Sequence, residues 1–197
     1  IGFSIAGTTP ETHDAIRINS HLSEIIHGIQ LFNIEKLRLR IDWPRMHLVF
    51  LMLKDNILEV PKVPSLAREL GIEEVFLTNI IHMTNIWQEK QGVFIYGKGN
   101  NENGQILKQA EKNARDLIIN LKRPTLYANH VAICDENPLR NLYISVNGEV
   151  SPCVYLYPPL ASPFKRIFYG EEYWLEKVSF GNIFRESFST IWNNESY

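Results

Sequence analysis

The first part of the chain alternates short apolar runs with amphipathic stretches. Apolar runs lie at Ile1–Ala6, Met46–Leu53 and Glu74–Thr78, and the middle one is continuous, as in a parallel strand covered on both faces. Between the runs, apolar residues at three- and four-residue spacing predict helices over Leu22–Phe32 and Pro64–Leu70. This order predicts an α/β fold whose parallel strands follow one another in the sheet.

A loop rich in glycine and asparagine, Gly97–Gly104, separates this pattern from a long amphipathic stretch. The apolar residues of that stretch form one stripe, which predicts a helix over Gln105–Lys122 that Pro124 ends. We place a domain boundary after residue 123. An α/β domain then covers residues 1–123 and a smaller module covers residues 124–197.

The smaller module contains both cysteines of the chain, in the frame C-x13-G-x4-C from Cys134 through Gly148 to Cys153. Alternating apolar residues flank Asn147-Gly148, which predicts a type I′ hairpin with positive φ at both turn residues. Cys153 would then lie on the returning strand. The two thiols either meet each other, share a metal cluster, or are unrelated buried cysteines.

Composition narrows the classes of function. The net charge is −2, from 20 basic and 22 acidic residues, without a long block of like charges, so we expect no nucleic-acid or membrane-surface partner. The longest apolar stretch, Leu48–Leu53, is far shorter than the roughly 20 residues that span a bilayer. Without a visible secretion signal or a disulfide scaffold, we expect a cytoplasmic protein.

The residues after the second cysteine form a recognisable pattern. Phe180–Phe184 reads F-G-N-I-F, and Ser187–Asn193 predicts a short helix with Ser187 as its N-cap. The order C-x13-G-x4-C, F-G-N-I, S-x4-W-N resembles the SPASM or twitch extension of radical S-adenosylmethionine enzymes. In that family the module carries auxiliary iron–sulfur clusters, so the resemblance implies that Cys134 and Cys153 are metal ligands.

The α/β half is similar to the same family. Ile1–Gly7 followed by Thr9–Arg17 resembles the fourth strand of a radical S-adenosylmethionine barrel and the segment after it, with Ala6 where the family usually has Asp. In the family, a serine of this strand and an arginine of the following segment hold the carboxylate of S-adenosylmethionine. The resemblance carries this role to Ser4 and Arg17. A guanidinium holds a carboxylate well, because it donates two charge-assisted hydrogen bonds.

Three further polar residues follow the next two strands. Asn56, Thr78 and Asn79 are expected near the carboxyl ends of these strands, where ligands of parallel α/β sheets bind. By the resemblance they would contact the adenosine or the substrate. Each is equally well interpreted as a loop residue that bonds its local backbone.

The fold that the resemblance implies is the C-terminal half of a partial (β/α)6 TIM-like barrel, followed by a β-hairpin and helix of the SPASM/twitch module. Reductive cleavage in the family needs a [4Fe-4S] cluster on a C-x3-C-x2-C loop after the first barrel strand. These 197 residues contain no such motif. We therefore expect a fragment that lacks both ends and is inactive alone.

The function implied for the complete protein is that of a radical S-adenosylmethionine oxidoreductase or maturase. Such an enzyme cleaves S-adenosylmethionine to a 5′-deoxyadenosyl radical, which abstracts hydrogen from a peptide, protein or small-molecule substrate. The implied cofactors are [4Fe-4S] clusters and S-adenosylmethionine. A reducing electron donor is the implied partner.

An alternative from a different class is a noncatalytic metal- or partner-binding module. Cys134 and Cys153 would then bind zinc or form a redox disulfide, with His130 as a conceivable third zinc ligand and no evident fourth. The remaining histidines show no metal-ligand spacing. Among them, His13 is interpreted as a surface or helix-entry residue and His47 as the start of a strand.

Overall fold

The computed structural model describes residues 1–95, 102–127, 132, 134, 136–168 and 170–195. The chain folds as two compact units. One unit comprises Ile1–Ile81 with Lys90–Ala128, and the other comprises His82–Glu89 with Asn129–Tyr197.

The first unit is built on a parallel sheet with the strand order β1-β2-β3-β4. All three predicted strands are present as neighbours, so the α/β fold with parallel strands is confirmed. His47 starts the second strand, as expected. The elements of residues 1–122 are β1 (Gly2–Ile5), α1 (Pro10–Ile16), α2 (Leu22–Leu39), β2 (His47–Met52), a 3₁₀ helix (Ile57–Lys62), α3 (Val63–Glu69), β3 (Glu74–Asn79), α4 (Ile86–Gln91), α5 (Glu102–Asp116) and β4 (Asn120–Lys122).

The apolar core lies on one face of this sheet. Alternate residues of β2, such as Phe50, are buried together with residues of α2, α3 and α5, whereas Val49 and Leu51 between them are only half-buried. The expectation that β2 is covered on both faces is therefore wrong for the described residues, because their helices pack on one side. We call the other side the open face; it carries Ser4, Val49, Leu51, Phe76, Thr78 and Lys122.

Two helices differ from their predicted bounds. α2 continues past Phe32 to Leu39 and stops where Arg40 adopts a left-handed conformation with φ of 54°. α5 begins at Glu102 and ends at Asp116 instead of Lys122. Ile118, with φ of 58°, turns the chain out of the helix, and the residues after it form β4 beside β3. The predicted loop Gly97–Gly104 lies largely outside the described residues.

The second unit contains two small antiparallel sheets. The last helix of this unit is capped by the Ser187 side chain, which accepts a hydrogen bond from Thr190 N–H at 3.1 Å. This confirms the predicted N-cap. One sheet has the order β5-β6-β9, and the other pairs β7 with β8. The elements are β5 (Tyr143–Ile144), β6 (Glu149–Ser151), a 3₁₀ helix (Val154–Leu156), β7 (Phe164–Phe168), β8 (Glu171–Leu175), β9 (Gly181–Asn182) and α6 (Phe188–Trp192).

The predicted hairpin around Asn147-Gly148 is present, but its turn is of another type. Gly148 N–H donates to Ser145 O at 2.9 Å, and Ser145 N–H donates to Glu149 O at 2.9 Å. Gly148 has φ of 83°, whereas Asn147 does not have positive φ. The connection is therefore a three-residue loop with a type I turn and a glycine bulge, and the prediction of a type I′ turn is wrong.

Candidate cofactor-binding and cluster-binding sites

Ser4 and Arg17 meet directly on the open face of the parallel sheet. Ser4 lies near the carboxyl end of β1, and Arg17 is the residue that ends α1. The Arg17 Nη2 donates a hydrogen bond to Ser4 Oγ at 2.7 Å. The Arg17 Nε is buried and has no acceptor within the described ranges. The guanidinium is thus oriented by a neutral hydroxyl and keeps donor capacity for an anion.

His13 holds the connection between β1 and α1. Its side chain is fully buried, so the expectation of a surface residue is wrong. Its Nδ1 accepts from Ala6 N–H at 3.2 Å, and its Nε2 lies 3.1 Å from Ser20 Oγ. Burial, and then the nearby Arg17, lower the pKa of His13. A neutral ring that accepts at Nδ1 carries its proton on Nε2, which therefore donates to Ser20.

Glu59 fixes the same connection from a distant part of the chain. Its carboxylate accepts hydrogen bonds from the Thr8 hydroxyl at 3.0 Å and from the Thr12 hydroxyl at 2.6 Å. It also accepts from Thr8 N–H. Sequence reasoning missed this residue, because nothing local in the sequence indicates which distant backbone a glutamate will bond.

Asn56 is a buried structural residue and does not line an open site. It is 1% exposed. Its Nδ2 donates to Ala6 O and Leu51 O, each at 2.8 Å, and its Oδ1 accepts from Leu53 N–H at 2.7 Å. The expected contact of Asn56 with the adenosine or the substrate is therefore wrong, and the alternative of backbone hydrogen bonding is right, because both amide protons tie β1 to β2.

Thr78 and Asn79 end β3 and differ in what they leave unsatisfied. Thr78 lies on the open face, because it follows Phe76 by two residues and Phe76 is in register with Ser4 through Val49 of β2. The Thr78 hydroxyl donates to Phe50 O at 3.2 Å. Asn79 is 6% exposed, and its Oδ1 accepts from Ile80 N–H at 3.0 Å. The Asn79 Nδ2 is buried without a partner in the described part of the chain. An orphaned buried donor of this kind calls for a ligand or water.

The two cysteines lie in the second unit as free thiols. Cys134 is exposed and Cys153 is half-buried. Burial raises the pKa of Tyr155, and the nearby carboxylate of Glu136 raises it further. Whether the two thiols share a metal cluster stays a prediction.

The F-G-N-I segment packs against the hairpin that precedes Cys153. The Asn182 Nδ2 donates to Asn147 O at 2.9 Å and to Glu149 Oε1 at 2.7 Å, and its Oδ1 accepts from Phe184 N–H at 2.9 Å. The Ser179 hydroxyl donates to the other oxygen of Glu149 at 2.6 Å. These bonds, first that from Ser179, lower the pKa of Glu149. The motif thus positions the strand that leads to the second cysteine.

A zinc site receives no support from the geometry. No group of three or more His, Cys, Asp and Glu side chains is placed to hold a metal among the described residues. His130, the conceivable third ligand, lies outside the described residues. Cys134 and Cys153 supply two thiols. Iron–sulfur clusters are usually held by four cysteines, so these two are half of a usual ligand set.

Comparisons with known proteins identify a family match for the second part of the chain. Residues 134–197 match the family model of the SPASM iron–sulfur cluster-binding domain. This match and two similarities over nearly the whole chain confirm the resemblance to radical S-adenosylmethionine enzymes with a SPASM module.

Two relatives extend over nearly the whole chain. The chain is 23% identical over 181 residues to the tungsten-containing aldehyde ferredoxin oxidoreductase cofactor-modifying protein of Pyrococcus furiosus, a match that covers 89% of this chain and 48% of that protein. The crystal structure of Streptococcus suis SuiB superposes with a TM-score of 0.59 at 10% identity, covering 98% of this chain and 43% of SuiB. The chain therefore spans about half the length of the relatives it matches. In the described residues no helix is long and apolar enough to cross a membrane.

Proposed function

We propose that this chain is part of a radical S-adenosylmethionine oxidoreductase or maturase. The observation that carries the proposal is the Arg17–Ser4 hydrogen bond of 2.7 Å, with the buried Nε of Arg17 lacking an acceptor among the described residues. A guanidinium in this state suits a carboxylate. It lies near the carboxyl end of a parallel strand, the end at which ligands of such sheets bind.

The sheet supports a partial (β/α)6 barrel as the finer architecture. In a barrel of parallel strands, helices cover the outside and the inner face lines the ligand site. Here the helices that contribute to the core pack on one face, and the open face carries both Ser4 and Thr78. We propose that the open face is the inner wall of the barrel.

Each candidate residue of the first unit except Asn56 has a proposed task. Arg17 binds the carboxylate of S-adenosylmethionine, and Ser4 holds the guanidinium in place. Thr78, on the same open face as Ser4, and the unpartnered Nδ2 of Asn79 contact the adenosine or the substrate. When bound, S-adenosylmethionine and a [4Fe-4S] cluster supply the 5′-deoxyadenosyl radical that abstracts hydrogen from the substrate.

Cys134 and Cys153 are proposed ligands of an auxiliary iron–sulfur cluster. Both are free thiols in the matched SPASM region. They supply two thiolates, and the chain holds no others. Because residues 1–197 also lack C-x3-C-x2-C, we propose that they do not cleave S-adenosylmethionine by themselves.

The proposed substrate is a peptide, a protein or a small molecule, and a reducing electron donor is the proposed partner. The name of the Pyrococcus furiosus relative describes a protein that modifies a cofactor. A modifying reaction of this general kind is what we propose here.

The S-adenosylmethionine site is tested by calorimetric binding to the full-length protein and its Arg17→Ala variant. Losing hydrogen bonds to a charged group costs about 1.5–3 kcal/mol, which corresponds to a roughly tenfold to 150-fold weaker affinity. Arg68→Ala, which removes an exposed arginine from α3, is the matched control and should bind normally. Equal affinities of the Arg17→Ala and control proteins would contradict the assignment.

The cluster site has its own test. The full-length protein is reconstituted anaerobically with iron and sulfide, and its iron content is compared with that of a Cys134→Ala, Cys153→Ala double variant. We expect the variant to lose the iron and visible absorption of one cluster. Unchanged iron content would refute the role of these cysteines without bearing on Arg17.

A further inference from the structure

One face of the β7–β8 hairpin forms a partly apolar cavity around an arginine. In the antiparallel register, Arg166 lies opposite Tyr173. Side chains alternate along each strand, so Phe168 and Leu175 lie on the same face as these two. The four residues line a cavity of about 250 Å³.

Arg166 lacks a counter-charge in this cavity. Its Nε is buried without an acceptor in the ranges that the structure describes, and no described carboxylate forms an ion pair with it. Its neighbour Lys165, on the other face of β7, pairs with Glu172 at 3.0 Å. A buried Nε–H without an acceptor is costly, since its desolvation is not offset. An anionic ligand would remove this cost.

His82 adds a second unsatisfied nitrogen beside the same hairpin. The backbone places it there, because Ile167 N–H donates to Met83 O at 2.7 Å. The His82 ring centroid lies 5.7 Å from that of Phe164 and 6.2 Å from that of Tyr155. Its Nε2 is buried without a partner among the described residues. Burial, and then the charge of Arg166, lower the pKa of His82.

We propose that this face of β7–β8 binds a carboxylate carried on an apolar group. Arg166 donates to the carboxylate, with the His82 Nε2 as an additional donor, and the rings of Phe168 and Tyr173 contact the apolar part. This site is distinct from that of Arg17 and does not depend on the radical chemistry proposed above.

The shape and lining of the cavity favour this class of ligand. Three of its four lining residues are aromatic or aliphatic, and one is a cation. A planar guanidinium matches the two oxygens of a carboxylate. A fully hydrated inorganic anion would leave the apolar lining without a contact, whereas an aryl or alkyl carboxylate uses both parts.

The test compares 3-phenylpropanoate with its neutral amide, 3-phenylpropanamide, by calorimetric binding to the full-length protein. We expect the acid to bind and the amide to bind at least roughly tenfold more weakly, because the amide lacks the charge that Arg166 requires. Arg166→Gln should weaken the acid by a similar factor. Lys165→Gln, on the opposite face of the same strand, should leave its affinity unchanged.

A second measurement needs no variant. At constant pH, the ring proton resonances of His82 should shift when 3-phenylpropanoate is added and stay in place when inorganic phosphate is added. Equal binding of acid and amide, unchanged affinity in folded Arg166→Gln protein, or an unmoved His82 resonance would each overturn the proposal.

Discussion

Asn182 is the residue on which the geometry of the cysteine-bearing module depends most directly. Replacing it by alanine removes three hydrogen bonds, to Asn147 O, Glu149 Oε1 and Phe184 N–H. Two of them are neutral, each with a net value of about 1 kcal/mol, and the one to a carboxylate is worth about 1.5–3 kcal/mol. Added together, the three bonds predict a loss of about 3.5–5 kcal/mol in the free energy of unfolding.

Urea unfolding followed by circular dichroism measures this loss. Asn193→Ala is the matched control, because that exposed side chain makes a single strong bond, to Ser189 O at 2.8 Å. We expect the control to lose less than about 1 kcal/mol. If Asn182→Ala is no more destabilised than the control, the argument that this amide holds the hairpin is wrong. The iron content of reconstituted Asn182→Ala protein should also fall, since the hairpin leads to Cys153.

Further predictions concern the same hairpin. Gly148→Ala should destabilise the protein by roughly 1–3 kcal/mol, since the residue has φ of 83° and a Cβ would lie 2.6 Å from the Phe184 ring. The midpoint of thermal unfolding measures this loss, and an unchanged midpoint would contradict the prediction. The folded-state pKa of Glu149 lies below its ordinary value of 4.5, so its contribution to stability is present above pH 4.5 and is lost as the pH falls through the folded-state value. Glu149→Gln should therefore flatten the acid limb of the stability profile, and an unaltered limb would refute this.

The strands of the first unit were predictable because their signal is local. Apolar runs at Met46–Leu53 and Glu74–Thr78 correspond closely to β2 and β3. Apolar periodicity could not reveal that α5 stops at Asp116. Leu117, Ile118 and Leu121 continue the stripe, yet Ile118 is 84% exposed and β4 instead gains backbone pairing with β3. Tertiary pairing outweighed helical periodicity here.

The candidate sites divide in the same way. Ser4 and Arg17 followed from a motif within one strand–helix connection, and the structure joins them by one hydrogen bond. Asn56 followed from its position after a strand, but position alone does not reveal that its amide spans from Leu51 to Ala6. The sequence did not indicate Arg166 as a candidate, since the absence of a counter-charge beside an arginine is known only from the folded structure.

The contacts of Glu59 have a kinetic consequence for ligand capture. Its carboxylate ties down Thr8 and Thr12, 51 and 47 residues away, on the connection that carries Arg17. The conformational entropy of that connection is therefore lost when the chain folds, and not when a ligand arrives. An anion that meets Arg17 should bind without waiting for a loop to become ordered. Its association rate would then depend on diffusion and charge, so it should be fast and sensitive to ionic strength.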